Sequence, residues 1–191
     1  MGIVVKLKNV RLAFPKLFRP ETVGTGDTKY YSAAMPIEPG SENHAALEAA
    51  IEEAAKGKWD TKSAAILKNI REKGDIGYVH RAATDDEGGA YDGFEGMYSA
   101  NASRREDKGP PYIVDRDGRS PLTAASGKPY AGCYVNATVE VWAQDNTNGK
   151  RINLQLRGVQ FVKDGPAFSG GAPIDPDNEF EALAEDDDQF A

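Results

Sequence analysis

The stretch CYVNATVEVWAQDNTNGKRINLQLRGVQFV, from Cys133 to Val162, decides the fold because it predicts two long β-strands joined by a polar turn. In its first half, apolar residues alternate with polar and aromatic ones, a period of two that is typical of a strand with one buried face. The turn, residues 145–149, is rich in residues that tolerate positive φ. In the second half, Gly158 shifts the alternation by one step, which is the pattern of a β-bulge. The hairpin is therefore predicted to be strongly curved, as barrel strands are.

The charge of the chain is distributed unevenly. The net charge is -7, but eight of the 30 acidic residues lie after Gly170, in a segment without a basic residue. Residues 1–170 therefore hold 22 acidic against 23 basic residues and are close to neutral. This asymmetry predicts a folded body over 1–170 and an acidic, disordered interaction tail over 171–191.

The low cysteine content and the lack of long apolar runs indicate the cellular compartment. Cys133 is the single cysteine and sits on the apolar face of its strand, so we expect a buried thiol in a reducing compartment. No apolar run approaches the length of a transmembrane helix, and the first residues do not resemble a signal peptide. We expect a soluble protein of the cytoplasm.

The remaining elements predict a mainly β fold with inserted helices. Strands are expected over 3–14, with a phase slip near Asn9, over 29–37 and over 96–103. Two helices are expected to form an insert over about 41–73, the first capped by Ser41 and the second running from Thr61 to Lys73. With the hairpin this gives five curved strands, which favours a five-stranded barrel of the OB-fold type. The segment between Pro15 and Pro20 is predicted to be irregular.

Several aromatic residues have two interpretations. Phe14 is expected to plug one end of the barrel, whereas Phe18 suits either the core or an exposed stacking role beside Lys16 and Arg19. Tyr30 and Tyr31 alternate along their strand, so one is expected in the core and the other on the surface.

The outer face of the hairpin and the loops near it carry aromatic, amide and cationic side chains. Sequence-independent binding of single strands needs flat side chains for the bases and cations for the phosphates. For each aromatic, packing is the alternative role, and for each cation it is a solvated surface position. The candidate DNA-binding residues are Lys16, Arg19, Lys29, Tyr98, Asn101, Ser103, Arg104, Arg105, Lys108, Tyr112, Arg116, Tyr134, Asn136, Trp142 and Arg157.

Five stretches occur in this order: LKNVRLAFPKLF (7–18), KYYSA (29–33), GMYSANAS (96–103), VDRDG (114–118) and YAGCYV (130–135). Together they resemble a group of phage single-stranded DNA-binding proteins long known only as a domain of unknown function. The resemblance implies an OB fold, a role in phage DNA replication or recombination, and no catalytic activity. No cofactor and no metal are expected. In the tail, Phe190 beside Asp186, Asp187 and Asp188 suits a basic pocket on a replication or recombination protein.

Two other classes of function are open on the residues alone. A metal-dependent nuclease would use the aspartates at 85, 86, 115 and 117, although Asp115 and Asp117 flank an arginine in a predicted turn. The two histidines, His44 and His80, lie far apart in sequence and form no zinc motif or triad. An interaction adaptor would have the acidic tail as its main feature.

Overall fold

The computed structural model describes residues 2–168, so the predicted tail over 171–191, with Asp186, Asp187, Asp188 and Phe190, lies outside the described residues. Within them the fold is mainly β with a helical insert, as predicted. The elements are β1 (Ile3–Arg11), β2 (Ala13–Thr22), β3 (Lys29–Ile37), α1 (Glu42–Trp59), α2 (Ser63–Lys73), β4 (Tyr78–Val79), β5 (Tyr98–Arg105), β6 (Tyr112–Val114), β7 (Tyr134–Asn146) and β8 (Gly149–Lys163).

The sheet begins and ends on one segment of chain. Its hydrogen-bonded order is β1-β7-β8-β5-β3-β2, and only Leu12 separates β1 from β2. These two strands are therefore the halves of one bent N-terminal segment, which pairs with β7 at one end and with β3 at the other. Counted in this way, the path contains the five predicted strands. The short β4 and β6 are additions that pair with β5 and β8.

The hairpin of β7 and β8 has the predicted bulge. The register shifts between Thr138 and Val139, which pair with Gly158 and Leu156, so one residue of β8 is extra at this point. Gly158 is also required by its neighbour, because a Cβ there would lie 2.9 Å from the carbonyl oxygen of Tyr112 on β6. The glycine thus both bends β8 and lets β6 approach it closely.

The N-terminal segment confirms one prediction and overturns another. The register of β1 shifts between Leu7 and Val10, and Asn9 has φ 52°, so the predicted slip near Asn9 is a bulge. The irregular segment predicted between Pro15 and Pro20 is wrong, because both prolines lie in β2. This strand pairs with β3 on one side only, and a strand with one free edge tolerates prolines that lack an N–H.

The helical insert packs against β1 and β7. Ser41 caps α1 as predicted, since its Oγ accepts a hydrogen bond from the His44 amide at 3.2 Å. Trp59, in the last turn of α1, is buried, and its Nε1 donates to the Asp145 carboxylate at 2.9 Å. The insert is thereby attached to the turn end of the hairpin. Within residues 2–168, no helix is long and apolar enough to cross a membrane.

The core contains the predicted thiol but not the predicted plug. Cys133 is fully buried, and burial raises the pKa of its thiol to about 11. Phe14 is 47% exposed, so its predicted burial at a barrel end is wrong. Its backbone has φ 48°, and its ring packs edge-on against Tyr91 with centroids 4.8 Å apart. Phe18 packs against the core, as Tyr31 does, while Tyr30 is half-buried.

Candidate nucleic-acid interface

An open groove of about 1360 Å³ runs across the outer faces of β3, β5, β7 and β8. Three of its lining residues, Phe14, Tyr30 and Trp142, carry flat aromatic rings. Tyr30 lies on β3 opposite Arg105 of β5, whereas Trp142 lies on β7 opposite Asn153 of β8. Aromatic side chains are thus available on strands at both sides of the groove.

The floor between these aromatics is polar. Asn153 donates from Nδ2 to the Gln144 side-chain oxygen at 3.0 Å, which orients both amides. Gln155 lies beside Ser103, where β8 and β5 run parallel. Its side-chain oxygen accepts from Lys108 Nζ at 3.2 Å. Such amides and hydroxyls can both donate and accept hydrogen bonds, so they suit base edges as well as phosphates.

The charge of the groove differs from that of the chain. Four cations line it, and its lining residues within 2–168 include no aspartate or glutamate. Two of the cations are held by carboxylates nearby: Arg105 by Asp107 at 3.1 Å, and Arg151 by Asp75 at 3.0 Å. The cations are Arg81, Arg105, Lys108 and Arg151.

Five of the sequence-predicted residues come together in this groove. Residues 99, 101, 103 and 105 all line it, because alternate residues of a strand share one face. The hairpin contributes its aromatic from the half nearest the turn. The five are Asn101, Ser103, Arg105, Lys108 and Trp142.

The same alternation takes Tyr98 and Arg104 away from the groove. The Arg104 guanidinium donates to the carbonyl oxygens of Lys108 and Gly109, each at 2.8 Å, and so holds the loop after β5. The Tyr98 ring instead stacks on His80, with centroids 4.6 Å apart and an interplanar angle of 20°. Neither residue lines the groove.

A second group lies at the far end of the hairpin, which we call the distal end and define by Arg116, Tyr134, Asn136 and Arg157. Asn136 donates to Gln160 at 3.1 Å, and its own oxygen accepts from the Asn9 amide at 2.9 Å. The Tyr134 ring lies 4.6 Å from Lys163 Nζ, and Arg157 is 3.6 Å from the Glu140 carboxylate. The carbonyl of Arg116 accepts from Gln160 at 2.9 Å. These residues are thus engaged by neighbouring side chains, and they line no part of the groove.

The remaining predicted residues are scattered. Tyr112 is 60% exposed on β6, next to the bulge. Lys16 lies on β2 opposite Ser32, with its Nζ 3.1 Å from Glu21. Arg19 and Lys29 are exposed on β2 and β3. The groove lining includes none of these four.

Four aromatic or cationic residues of the groove were missed at the sequence level: Phe14, Tyr30, Arg81 and Arg151. Two of them could have been predicted, because Tyr30 lies on the same strand face as Ser32, and Arg151 lies on the same strand face as Asn153. Phe14 depends on its positive φ, and Arg81 on the path of the chain after β4. Neither the backbone conformation of Phe14 nor the chain path after β4 can be inferred from local periodicity.

Two of the aspartates considered for a nuclease, Asp115 and Asp117, are committed to turns. The amides of Arg119 and Ser120 donate to Asp117. The hydrogen bonds from Ser120 lower the pKa of the Asp117 carboxyl. The Arg116 amide and Lys128 lower the pKa of Asp115 in the same way. By contrast, His44 and His80, which seemed too far apart in sequence to cooperate, lie with ring centroids 5.7 Å apart.

Comparison with known proteins places this geometry in a family. A family model described as "Enterobacter phage Enc34, ssDNA-binding protein" matches residues 3–190. The chain belongs to this family. It is 41% identical over 168 residues, 87% of each chain, to protein p50 of Acyrthosiphon pisum secondary endosymbiont phage 1. The family resemblance inferred from the sequence is confirmed.

Two solved structures share the fold of this family member at low sequence identity. The single-stranded DNA-binding protein from bacteriophage Enc34, in complex with ssDNA, superposes with a TM-score of 0.62. It is 20% identical, over 86% of this chain and 88% of that one. The single-stranded DNA-binding protein gp2.5 of bacteriophage T7 gives a TM-score of 0.57 and 13% identity, over 96% of this chain and all of that one.

Proposed function

We propose that this protein binds single-stranded DNA in the groove across β3, β5, β7 and β8, without strong sequence preference. One observation carries the proposal: the chain has a net charge of -7, yet among residues 2–168 the groove is lined by four cations and by no aspartate or glutamate. A phosphate backbone is the ligand that such a separation of charge favours. The role is non-catalytic, in the replication or recombination of phage DNA in the host cytoplasm.

The aromatic residues explain a preference for single strands. Stacking on a side chain requires a free base face, which a duplex does not offer, and it is tolerant of sequence because every base has one. Trp142 and Tyr30 sit at opposite sides of a polar floor, so successive bases can stack while the backbone follows the cations. Proteins of the same fold include one solved with ssDNA bound, which supports the assignment.

A fluorescence titration with matched oligonucleotides tests this function. The chain has two tryptophans: Trp59 is buried and bonded to Asp145, whereas Trp142 lines the groove, so quenching reports chiefly on Trp142. We expect single strands to quench this emission and to bind much more tightly than duplex of equal length at equal salt. Retention of the quench in Trp59→Phe would assign it to Trp142. Equal affinity for duplex would contradict the proposal.

The acidic segment completes the proposed organisation, with a DNA-binding body over 1–170 and a tail over 171–191. A tethered polyanion is present at high effective concentration near a cationic groove, so the tail competes with DNA. Bound DNA releases the tail, and Phe190 beside Asp186, Asp187 and Asp188 then binds a basic pocket on a replication or recombination protein.

Deletion of residues 172–191 tests the competition. The shortened protein is expected to bind single strands more tightly, most visibly at low salt, because the competing charges are gone. The shortened protein is also expected no longer to stimulate the replication or recombination enzyme that the tail binds. A variant of the full chain with Asp186, Asp187 and Asp188 changed to asparagine separates charge from length. Unchanged affinity of both proteins across a salt series would show that the tail does not compete.

A further inference from the structure

A cluster of potential metal ligands lies outside the groove, between the helical insert and β4. His44 and Glu48 are four residues apart in α1, so both side chains project from one face of the helix. His80 follows β4 directly. One ring nitrogen of each histidine and one carboxylate oxygen of Glu48 all lie within 4.8 Å of one another.

We propose that His44, Glu48 and His80 bind a zinc-class transition-metal ion. Two imidazoles and a carboxylate are ligands that Zn²⁺ accepts, with bonds of about 2.0–2.2 Å and a tetrahedral arrangement. Ligand atoms in such a site are about 3.3 Å apart. His80 Nε2 and Glu48 Oε1 are now 2.5 Å apart and share a hydrogen bond, so they separate slightly as the ion replaces the proton. Water takes the fourth position.

The surroundings orient the three ligands. The Arg71 guanidinium donates to Glu48 Oε2 at 2.8 Å, which fixes the carboxylate and leaves Oε1 toward His80. Tyr78 Oη lies 2.6 Å from His44 Nδ1, so Nε2 is the nitrogen of His44 available to the ion. The Tyr98 ring stacks on His80 and sets its plane. Partners of this kind support metal-bound imidazoles and carboxylates.

Arg71 also limits the affinity. Its Nη1 lies 3.3 Å from His80 Nε2, so a cation stands beside the position of the proposed ion. We therefore expect weaker binding than at a structural zinc site with four protein ligands. Hard ions such as Mg²⁺ prefer oxygen ligands and are expected not to bind.

An ion at this position would join α1 to the segment after β4. Val79 and Arg81, on either side of His80, both line the DNA groove. The ion would thus act as a clamp that fixes one wall of the groove to the helical insert. It stabilises the folded protein, because it binds the assembled ligands and not the unfolded chain.

The test uses the full chain without a histidine tag. Co²⁺ is titrated while its visible ligand-field absorption is recorded, and thermal unfolding is followed with and without Zn²⁺. We expect a saturable Co²⁺ band at one equivalent, its displacement by Zn²⁺, and an unfolding midpoint raised by Zn²⁺ but not by Mg²⁺. His44→Gln and His80→Gln should each lose the band and the shift. Glu52→Gln, one turn further along α1 and exposed, is the matched control and should keep both.

Two results would overturn the site. One is a parent protein that gives neither a Co²⁺ band nor a Zn²⁺-dependent midpoint. The other is a His44→Gln/His80→Gln protein that keeps the parent's response, which would assign the ion to other residues. Glu48→Gln tests the site if a histidine variant does not fold. Its amide oxygen can still accept a hydrogen bond from Arg71, but it is a weaker metal ligand than the carboxylate. These readouts need no DNA, so they stand apart from the proposed function.

Discussion

The two ends of one hairpin face differ in whether their side chains line the groove. Near the turn, Trp142 and Asn153 face each other across β7 and β8 and line the groove. At the distal end, Tyr134 and Asn136 have the same alternation and similar chemistry, but their polar atoms and rings are engaged by Lys163 and Gln160. A face of a strand is therefore not yet a site. The neighbouring strands decide which part of it becomes one.

The neighbours change at the bulge. On the turn side of Gly158, β8 runs beside β5 at Ser103, which extends the outer face toward β3. From Gly158 onward β8 pairs with the short β6 instead. The groove therefore ends where β5 gives way to β6, and the position of one glycine separates the two ends of the face.

The largest expected effect comes from removing aromatics at the groove. Stacking contributes about 1–3 kcal/mol per base, so Trp142→Ala with Tyr30→Ala should weaken binding of single strands by at least about 30-fold. Tyr134→Ala, at the distal end of the same face, should bind like the parent. The measurement is anisotropy of a labelled oligonucleotide at fixed salt, with circular dichroism to show that each variant is folded.

The opposite result would assign DNA binding to the distal end of the face. If Tyr134→Ala is folded and weakens binding while the double variant does not, then the distal end is the site and the groove is not. If all three substitutions weaken binding, then DNA follows the whole length of the hairpin, past the bulge.

Much of the fold was predictable because its signals are local. Alternation and the glycine phase break located the hairpin, its bulge and the bend near Asn9. A capping serine located the start of α1. The prediction for Pro15 to Pro20 failed because it treated proline as a breaker, and whether a strand has a free edge is a property of the assembled sheet.

The site was less predictable because it is assembled from segments distant in sequence. Strand alternation predicts Trp142, and polar chemistry on a predicted strand predicts Asn101 and Ser103. Tyr98 and Arg104 were grouped with them although alternation places those two on the other face. The contribution of Arg81 depends on how the chain leaves β4. The proximity of His44 and His80 depends on the packing of α1 beside that same segment, and 35 intervening residues conceal it.

The smaller expected effect concerns charge, and two sets of three substitutions with the same change in net charge compare the ends of the face directly. The groove set is Arg81→Gln, Arg105→Gln and Arg151→Gln. The distal set is Arg116→Gln, Arg157→Gln and Lys163→Gln. Each phosphate contact contributes about 0.7 to the slope of log affinity against log salt for single strands. If the groove arginines each meet a phosphate, the first set lowers this slope by about 2.

The distal set also removes three positive charges, but from the other end, so it controls for the electrostatic potential of the whole protein. Glutamine can still donate a hydrogen bond, and Arg151→Gln keeps a donor beside Asp75. We therefore expect both proteins to be folded and the distal set to keep the parent's salt slope. Equal slopes for the two sets would mean that DNA senses only net charge, and the division of this face at Gly158 would then have no part in binding.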